Sequence, residues 1–318
     1  MRFDPAGPYA VGHADVEYAR RDSEPLLARV YRPEGVAGSW PILVDVHGGA
    51  WSAFDRRADA NFDRALAACG MVVIALDFRQ APAHRWPTAA VDVAEGVRWA
   101  KRHAAEFDAS PERLGIVGGS SGGHLAVAVA LQARSREPAF AGDASPARVG
   151  SGTDAGPDAS MAGADEGAEG IDASVDYAMP LWPILDPLAR YRYLLERRAR
   201  PEWVARDPFF QLERLIAAHD AFFGDEATMA RASVQRMIDE RDFGALPRIW
   251  IAHPELDENV TRAMTDRFVA AYRDAGGEIE LEVFAGVGHA FANFPGEAAD
   301  RCIERMRLFV ARTLARPL

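Results

Sequence analysis

The chain has 318 residues, of which 49% are hydrophobic and 26% are charged, and its formal net charge at pH 7 is −11. These proportions are ordinary for a globular protein with one sizeable core and an accessory region, so we predict a single domain over residues 1–318. The basic residues are scattered along the chain, which argues against a nucleic-acid partner, and the negative net charge disfavours a strongly acidic substrate.

The longest apolar runs cover residues 71–76 and 125–131. Both are far shorter than the roughly 18 residues that a membrane-spanning helix needs, and residues 1–10 contain no apolar export segment. We therefore expect a cytoplasmic protein with no membrane partner. Cys69 and Cys302 each fall within a helical pattern, which favours two buried free thiols over a disulfide or a metal site.

Short apolar runs alternate with helical patterns over most of the chain, and this rhythm predicts a mostly parallel β-sheet with helices on both faces. The first two strands are joined by a turn, so we expect them to be antiparallel. In chain order, the predicted strands of the first half are 14–19, 26–31, 41–46, 71–77 and 114–117, and the predicted helices are 59–69, 90–97 and 122–132.

Residues 141–172 are mostly Ala, Gly, Asp, Ser and Pro, and such a segment buries too little apolar surface to order itself, so we predict a flexible loop. The aromatic-rich helical stretch 187–246 is interpreted as a cap insertion. Its aromatic side chains either form a small core of the cap or contact the substrate. They include Tyr191, Trp203, Phe209, Phe210 and Phe222. The remaining predicted strands are 175–185, 249–252 and an outer strand at 279–283, and the remaining helices are 264–272 and 303–310.

The six residues from Gly118 to Gly123, with the sequence GGSSGG, lie between a predicted strand and a predicted helix. A sharp turn from strand to helix exposes a serine hydroxyl, and glycines on either side let the backbones pass without a Cβ clash. We interpret Ser120 as a nucleophile, since the free N–H groups at the start of the helix favour a developing negative charge. Ser121 fits the same pattern and is the alternative. The Ser120 register is favoured because it leaves Gly123 as a small residue where helix and strand pack closely.

The sequence HGGAW, residues 47–51, directly follows the third predicted strand. The oxyanion of a tetrahedral intermediate needs backbone N–H groups that side chains do not obstruct. We predict that Gly48 and Gly49 supply two of these groups and that the Ser121 N–H supplies a third. His47 is then a scaffold residue.

A nucleophilic serine needs a base, and the base needs an orienting carboxylate. We predict His289 as the base, because it lies in a glycine-flanked loop after the last predicted strand, where it can reach across the sheet edge to Ser120. The competing histidines lie in polar or early segments or in the helix after the serine: His13, His84, His103, His219 and His124.

For the acid we predict Asp257, which follows the predicted strand 249–252 and produces the chain order Ser, Asp, His. Glu255 and Glu258 are its close competitors, because they lie in the same loop. Asp186 follows the preceding predicted strand and is the other acid at a strand end.

Five motifs occur in the order HGGAW, LDFRQAPAHRWP, GGSSGG, ELDEN and GVGHAF. Together they resemble the hormone-sensitive-lipase-like esterases of the α/β-hydrolase superfamily, and the HGGxW variant is also similar to the kynurenine formamidase branch. The resemblance covers most of the chain outside 141–172 and the cap. It implies the α/β-hydrolase fold, with Ser120 as nucleophile, Asp257 as acid, His289 as base, and Gly48, Gly49 and Ser121 as the oxyanion hole.

The chain departs from the lipase-like family in three ways. Ala50 replaces the usual third glycine, Gly119 replaces the usual acidic residue before the serine, and the region ahead of the first strand is too short for the N-terminal cap helices of that family. Any lid must then come mainly from 187–246. The stretch 77–87 resembles the DxRxxPxxxxP segment of the family, which we interpret as support for the oxyanion loop.

These features predict a serine carboxylesterase that acts on a small-molecule ester through an acyl-enzyme and needs neither a metal nor an organic cofactor. Its activity is expected to fall at acidic pH as His289 is protonated. An amidase or arylformamidase with the same triad, or an acyltransferase, is the main alternative. A non-catalytic small-molecule binding protein on the same scaffold is the second. The sequence leaves the oligomeric state open.

Overall fold

The computed structural model describes residues 2–21, 23–132, 171–200, 202 and 210–317. Within these residues one sheet contains the strands β1 (Val11–Arg21), β2 (Glu24–Pro33), β3 (Trp40–Val46), β4 (Val72–Leu76), β5 (Ala109–Gly119), β6 (Tyr177–Leu181), β7 (Arg248–Pro254) and β8 (Ile279–Phe284). The order across the sheet is β1-β2-β4-β3-β5-β6-β7-β8. β2 pairs antiparallel with β1 and β4, and all other pairs are parallel.

The α-helices of the described part are α1 (Ala60–Ala67), α2 (Thr88–Arg102), α3 (Ser121–Gln132), α4 (Pro187–Arg198), α5 (Leu212–Phe223), α6 (Glu226–Arg231), α7 (Val234–Asp239), α8 (Arg262–Asp274) and α9 (Glu297–Leu314). A 3₁₀ turn at Phe291–Asn293 lies between β8 and α9. In this part of the chain, no helix is both long and apolar enough to cross a membrane.

Helices cover both faces of the sheet, so the central strands are buried throughout. Side chains of α2, α3 and α8 pack on one face, and side chains of α1 and α9 pack on the other. All residues of β3, β4 and β6 are buried, as is every residue of α3. The predicted parallel sheet and its antiparallel start are confirmed, as are the two buried free thiols of Cys69 and Cys302.

Three predicted segments differ from the structure or lie partly outside its described residues. The predicted strand 175–185 is longer than β6, because the chain turns at Trp182, which has a φ of +39° and donates its N–H to the Ala252 carbonyl. Of the predicted flexible loop, residues 141–170 lie outside the described part. Helices α4 to α7 lie in the stretch predicted as a cap, while 201 and 203–209 are not described.

Candidate active site

The turn from β5 into α3 presents Ser120. Its φ is +54°, a left-handed value that is unusual for a residue with a side chain. A Cβ atom at Gly122 would lie 1.9 Å from the Val46 carbonyl oxygen, and a Cβ atom at Gly118 would lie 2.7 Å from the backbone of Gly122. The glycines are therefore required because the turn packs directly on the end of β3. The sequence predicts this steric condition from the glycines on either side of the serine.

His289 lies between the predicted nucleophile and the predicted acid. Its Nε2 atom is 2.9 Å from Ser120 Oγ, and its Nδ1 atom is 2.9 Å from Asp257 Oδ2. An ionised carboxylate only accepts hydrogen bonds, so Nδ1 donates to Asp257 and Nε2 faces the serine hydroxyl as an acceptor. The three side chains that the sequence predicts as nucleophile, base and acid therefore lie together at the carboxyl edge of the sheet.

Asp257 is held in a turn of its own loop. Its Oδ1 atom accepts hydrogen bonds from the N–H groups of Asn259, at 2.7 Å, and Val260, at 2.9 Å. Burial by itself opposes ionisation of Asp257, but the charge and hydrogen bond of His289 and these two N–H groups outweigh it and lower the pKa of the carboxyl. The carboxylate can thus stabilise an imidazolium.

The rivals of Ser120 and Asp257 have other contacts. Ser121 is buried, and its Oγ atom accepts a hydrogen bond from the Trp51 N–H at 3.2 Å. Glu255 accepts a hydrogen bond from the Gly286 N–H, and Asp186 caps the N-terminus of α4 by accepting from the Ala189 N–H. The bonds of these groups point to local structural roles.

The predicted oxyanion loop lies against the serine turn. A Cβ atom at Gly48 would be 3.0 Å from the Gly119 carbonyl oxygen and 3.6 Å from Ser120 Cβ. Gly49 has a φ of +111°, and a Cβ atom there would lie 2.1 Å from the Ala53 carbonyl oxygen. Ser121 is the first residue of α3. The backbones of the predicted oxyanion residues Gly48, Gly49 and Ser121 therefore gather beside the serine.

Trp51 anchors this loop to the rest of the molecule. Its ring stacks on Phe222 of α5, with centroids 5.2 Å apart and planes at 4°. Its Nε1 atom donates to His124 Nδ1 at 3.2 Å, and His124 Nε2 donates to the Ala232 carbonyl at 2.8 Å. Burial lowers the pKa of His124 to about 4, which keeps this ring neutral. The Ala81 N–H donates to the Trp51 carbonyl, a contact of the kind expected if the stretch 77–87 supports this loop.

Two residues near the site, His219 and Trp182, differ from what the sequence predicts. His219, which the sequence assigned to a polar segment, is fully buried on α5 because it packs against Trp51 at 5.1 Å between ring centroids. Trp182 was not singled out. Its ring lies edge-on to His289 at 6.1 Å, and its backbone has a positive φ that no sequence pattern indicates.

Metal ligation has no support in the part of the chain that the structure describes. Among these residues no group of three or more His, Cys, Asp and Glu side chains could hold a metal ion. The contacts of His289 with Ser120 and Asp257 are those of a serine that a histidine can activate.

Comparison with known proteins places this geometry in a family. A family model for the alpha/beta hydrolase fold matches residues 43–293. Esterase LipQ of Mycobacterium tuberculosis is 26% identical over 286 residues, which are 89% of this chain and 58% of LipQ. The probable carboxylic ester hydrolase LipM of the same organism is 35% identical over 119 residues, which are 37% of this chain and 28% of LipM. The chain thus spans less than two thirds of the length of these relatives.

Solved structures share the fold of this chain. A bacterial heroin esterase superposes with a TM-score of 0.71 and 19% identity, covering 96% of this chain and 85% of that protein. The propionate-bound esterase Est2 of Thermogutta terrifontis superposes with a TM-score of 0.67 and 23% identity, covering 96% of this chain and 97% of Est2. At such identities the likeness shows the fold alone. With a family model that matches most of its length, the chain belongs to the α/β-hydrolase fold family.

Proposed function

We propose that this protein is a serine carboxylesterase that cleaves a small-molecule carboxylic ester. The observation that carries the proposal is the unbroken contact from Ser120 Oγ through the imidazole of His289 to the Asp257 carboxylate, with both contacts at 2.9 Å. Such an arrangement activates a hydroxyl that is otherwise a weak nucleophile.

In the first step His289 Nε2 takes the proton of the Ser120 hydroxyl as the oxygen attacks the ester carbonyl carbon. The carbonyl electrons move to oxygen, and the N–H groups of Gly48, Gly49 and Ser121 stabilise the resulting oxyanion. When the tetrahedral intermediate collapses, the imidazolium returns its proton to the departing alcohol, and the acyl group remains on Ser120.

In the second step water replaces the alcohol. His289 removes a proton from the water as it attacks the acyl carbon, and the carboxylic acid departs as the proton returns to Ser120. Asp257 stabilises the imidazolium in both steps. Every bond change is accounted for by these residues and water, so the proposed reaction uses neither a metal nor an organic cofactor.

The names of LipQ and LipM, an esterase and a probable carboxylic ester hydrolase, support an ester over an amide as the substrate. The arylformamidase alternative keeps the same triad and is favoured by one feature, the tryptophan of HGGAW. We also propose that α4 to α7 form the cap over the site. The catalytic geometry argues against a protein that only binds small molecules.

Labelling with a fluorophosphonate probe, followed by peptide mapping, tests the nucleophile. We expect the label on Ser120 and its loss in S120A, while S121A is the matched control and keeps the label. A label on Ser121, or near-normal turnover by S120A, would overturn the assignment. Initial rates on short-chain p-nitrophenyl esters beside an N-formyl arylamine test the substrate class. Turnover of the amide alone would replace the esterase proposal by the arylformamidase one.

A further inference from the structure

Arg190 is a buried cation that the proposed mechanism does not use. It lies on α4 and is only 1% exposed. Among the described residues no carboxylate lies within ion-pair distance of its guanidinium. Burial lowers the pKa of Arg190 to about 10, and the charge of Asp257 opposes this. Burying a charge without a direct partner is costly, so its remaining contacts must compensate.

All three nitrogen atoms of the guanidinium have a partner. Nε donates to the main-chain carbonyl of Asn259 at 3.0 Å, and Nη2 donates to Oδ1 of the same residue. Nη1 lies 3.3 Å from His219 Nε2. Because His219 Nδ1 donates to the Leu215 carbonyl at 2.8 Å, its Nε2 atom is free to accept. Burial, followed by the charge of Arg190, lowers the pKa of His219 and keeps it neutral for this role.

Asn259 belongs to the acid loop, the residues 255–261 between β7 and α8 that carry Asp257. Its N–H donates to Asp257 Oδ1 at 2.7 Å, while Asp257 Oδ2 faces His289. Arg190 therefore donates hydrogen bonds to both oxygen atoms of Asn259, and the N–H of Asn259 orients the Asp257 carboxylate. The Asn259 carbonyl also shares its peptide group with the Val260 N–H, which donates to Asp257 Oδ1 at 2.9 Å. A rotation of that peptide would redirect the Val260 N–H and thereby turn the carboxylate away from the imidazole.

A second side chain of α4 contacts the same loop. The Tyr193 hydroxyl donates to the Glu258 carbonyl at 2.9 Å. Arg190 and Tyr193 are three residues apart, so they lie on one face of the helix. His219, which supports Arg190 from α5, also packs on Trp51 of the oxyanion loop. The two helices thus contact both loops on which the proposed reaction depends.

We infer that Arg190 is a positioning residue for Asp257, through which helix α4 sets the direction of the carboxylate toward His289. The inference rests on the proposed function, since it concerns the acid of that triad. It also assigns helices α4 and α5 a role in holding the catalytic loops, in addition to enclosing a substrate.

The test compares R190M with R190K and with Y191F. The Tyr191 hydroxyl donates to Asp220 at 2.8 Å, so Y191F removes a hydrogen bond of α4 that does not touch the acid loop. With a p-nitrophenyl ester, R190M should lower kcat about tenfold to a hundredfold, the range expected for a misdirected catalytic group. KM should stay within about twofold. R190K should lie between R190M and the wild type, because an ammonium can still bond to Asn259.

A spectroscopic signal reports the contact directly. The Nδ1 proton shared by His289 and Asp257 is expected as a far-downfield proton resonance, weakened or lost in R190M and retained in Y191F. Rates are referred to active sites titrated with the fluorophosphonate probe, so that loss of folded enzyme does not count as loss of kcat. If R190M does not fold, R190K and Y193F carry the test, since each weakens a contact between α4 and the acid loop.

Wild-type kcat in R190M would overturn the inference, as would an equal loss of kcat in Y191F. If R190M does not fold, wild-type kcat in both R190K and Y193F would overturn it too. S120A and D257N are assayed in parallel to separate the two proposals. Activity in S120A would refute the proposed function itself. An inactive S120A beside a fully active R190M would refute only the role of Arg190.

Discussion

Trp51 and Phe222 lie face to face, with ring centroids 5.2 Å apart and planes at 4°. Trp51 closes the HGGAW segment, whereas Phe222 is near the end of α5, far along the chain. The position of the oxyanion loop therefore depends on a helix that belongs to the stretch predicted as a cap. Two fully buried rings transmit this dependence, since packed side chains resist independent movement.

Replacing Phe222 with alanine should remove this support. A cavity at a fully buried phenylalanine costs about 3–5 kcal/mol of unfolding free energy, and the loosened loop should also lower kcat. F309A is the matched control, because Phe309 is equally buried but packs beneath the sheet on Tyr177 and Trp250. Denaturant unfolding and kcat per titrated site measure the two effects. Equal kcat in F222A and F309A would contradict a role for the stacking.

Replacing Asp257 and Asp186, one at a time, with asparagine tests which of them is the acid of the triad. D257N should lower kcat about 10⁴-fold with little change in KM, because the amide favours the wrong imidazole tautomer. D186N should keep its activity, since Asp186 caps α4 and pairs with Arg267. Steady-state kinetics of both variants decide between them. Loss of activity in D186N alone would transfer the acid role to that residue.

We expect the ring of Trp182 to support catalysis by holding the imidazole of His289. The edge-on contact with His289 has the geometry of aromatic pairs worth about 0.5–1.5 kcal/mol, which corresponds to roughly twofold to tenfold in rate. W182A should therefore lower kcat by that factor, whereas W182F should lose less. The comparison is made at saturating substrate. An unchanged kcat in W182A would show that the imidazole needs no support from this ring.

Gly48 should not tolerate a side chain. Its Cβ would lie 3.0 Å from the Gly119 carbonyl oxygen, so G48A must shift the loop against the serine turn. Displacing one oxyanion donor costs about 10²-fold to 10³-fold in kcat. G296A is the control, because no atom lies within 4 Å of its added Cβ and its backbone is extended. Equal kcat values for both variants would remove Gly48 from the oxyanion hole.

The buried carboxyl groups of Asp45, Asp59 and Asp63 should make the free energy of unfolding fall with rising pH. Burial raises the pKa of Asp59 to about 7 despite a hydrogen bond from Asn293. Burial and the neighbouring carboxylates also raise the pKa of Asp45 and Asp63. The folded protein thus binds these protons more tightly than the unfolded chain, whose aspartates titrate near pH 4. For Asp59, the stabilisation is complete below about pH 4 and is lost as pH rises through about 7.

The variant D63N should flatten this decline, because an amide carries no proton to lose. Each proton that the folded protein binds and the unfolded chain does not changes the free energy of unfolding by up to about 1.4 kcal/mol per pH unit. Tm measured between pH 5 and pH 9 should fall more steeply in the wild type than in D63N. D274N is the control, since Asp274 is exposed and paired with Arg241. Parallel curves for wild type and D63N would contradict a raised pKa at this position.

The sequence by itself determined the sheet and the serine turn. Apolar runs and helical spacing are repeated over many residues, so they predicted the succession of strands and helices along the chain. The glycines around Ser120 satisfy a steric condition within the turn and at the strand beside it, and a short motif can record such a condition. The alternating Glu280 and Glu282 likewise predicted that β8 lies at the edge, where one face is less covered.

Only the tertiary structure decided which strand-end acid faces the histidine. Asp257, Glu255 and Asp186 all follow strands, and loop side chains have no periodicity that states their direction. In the folded protein Asp257 faces His289, whereas Glu255 and Asp186 accept hydrogen bonds from backbone N–H groups. Arg190 illustrates the same limit. Its partner Asn259 is 69 residues away, and only the packing of α4 on the acid loop turns an ordinary helical arginine into a buried contact.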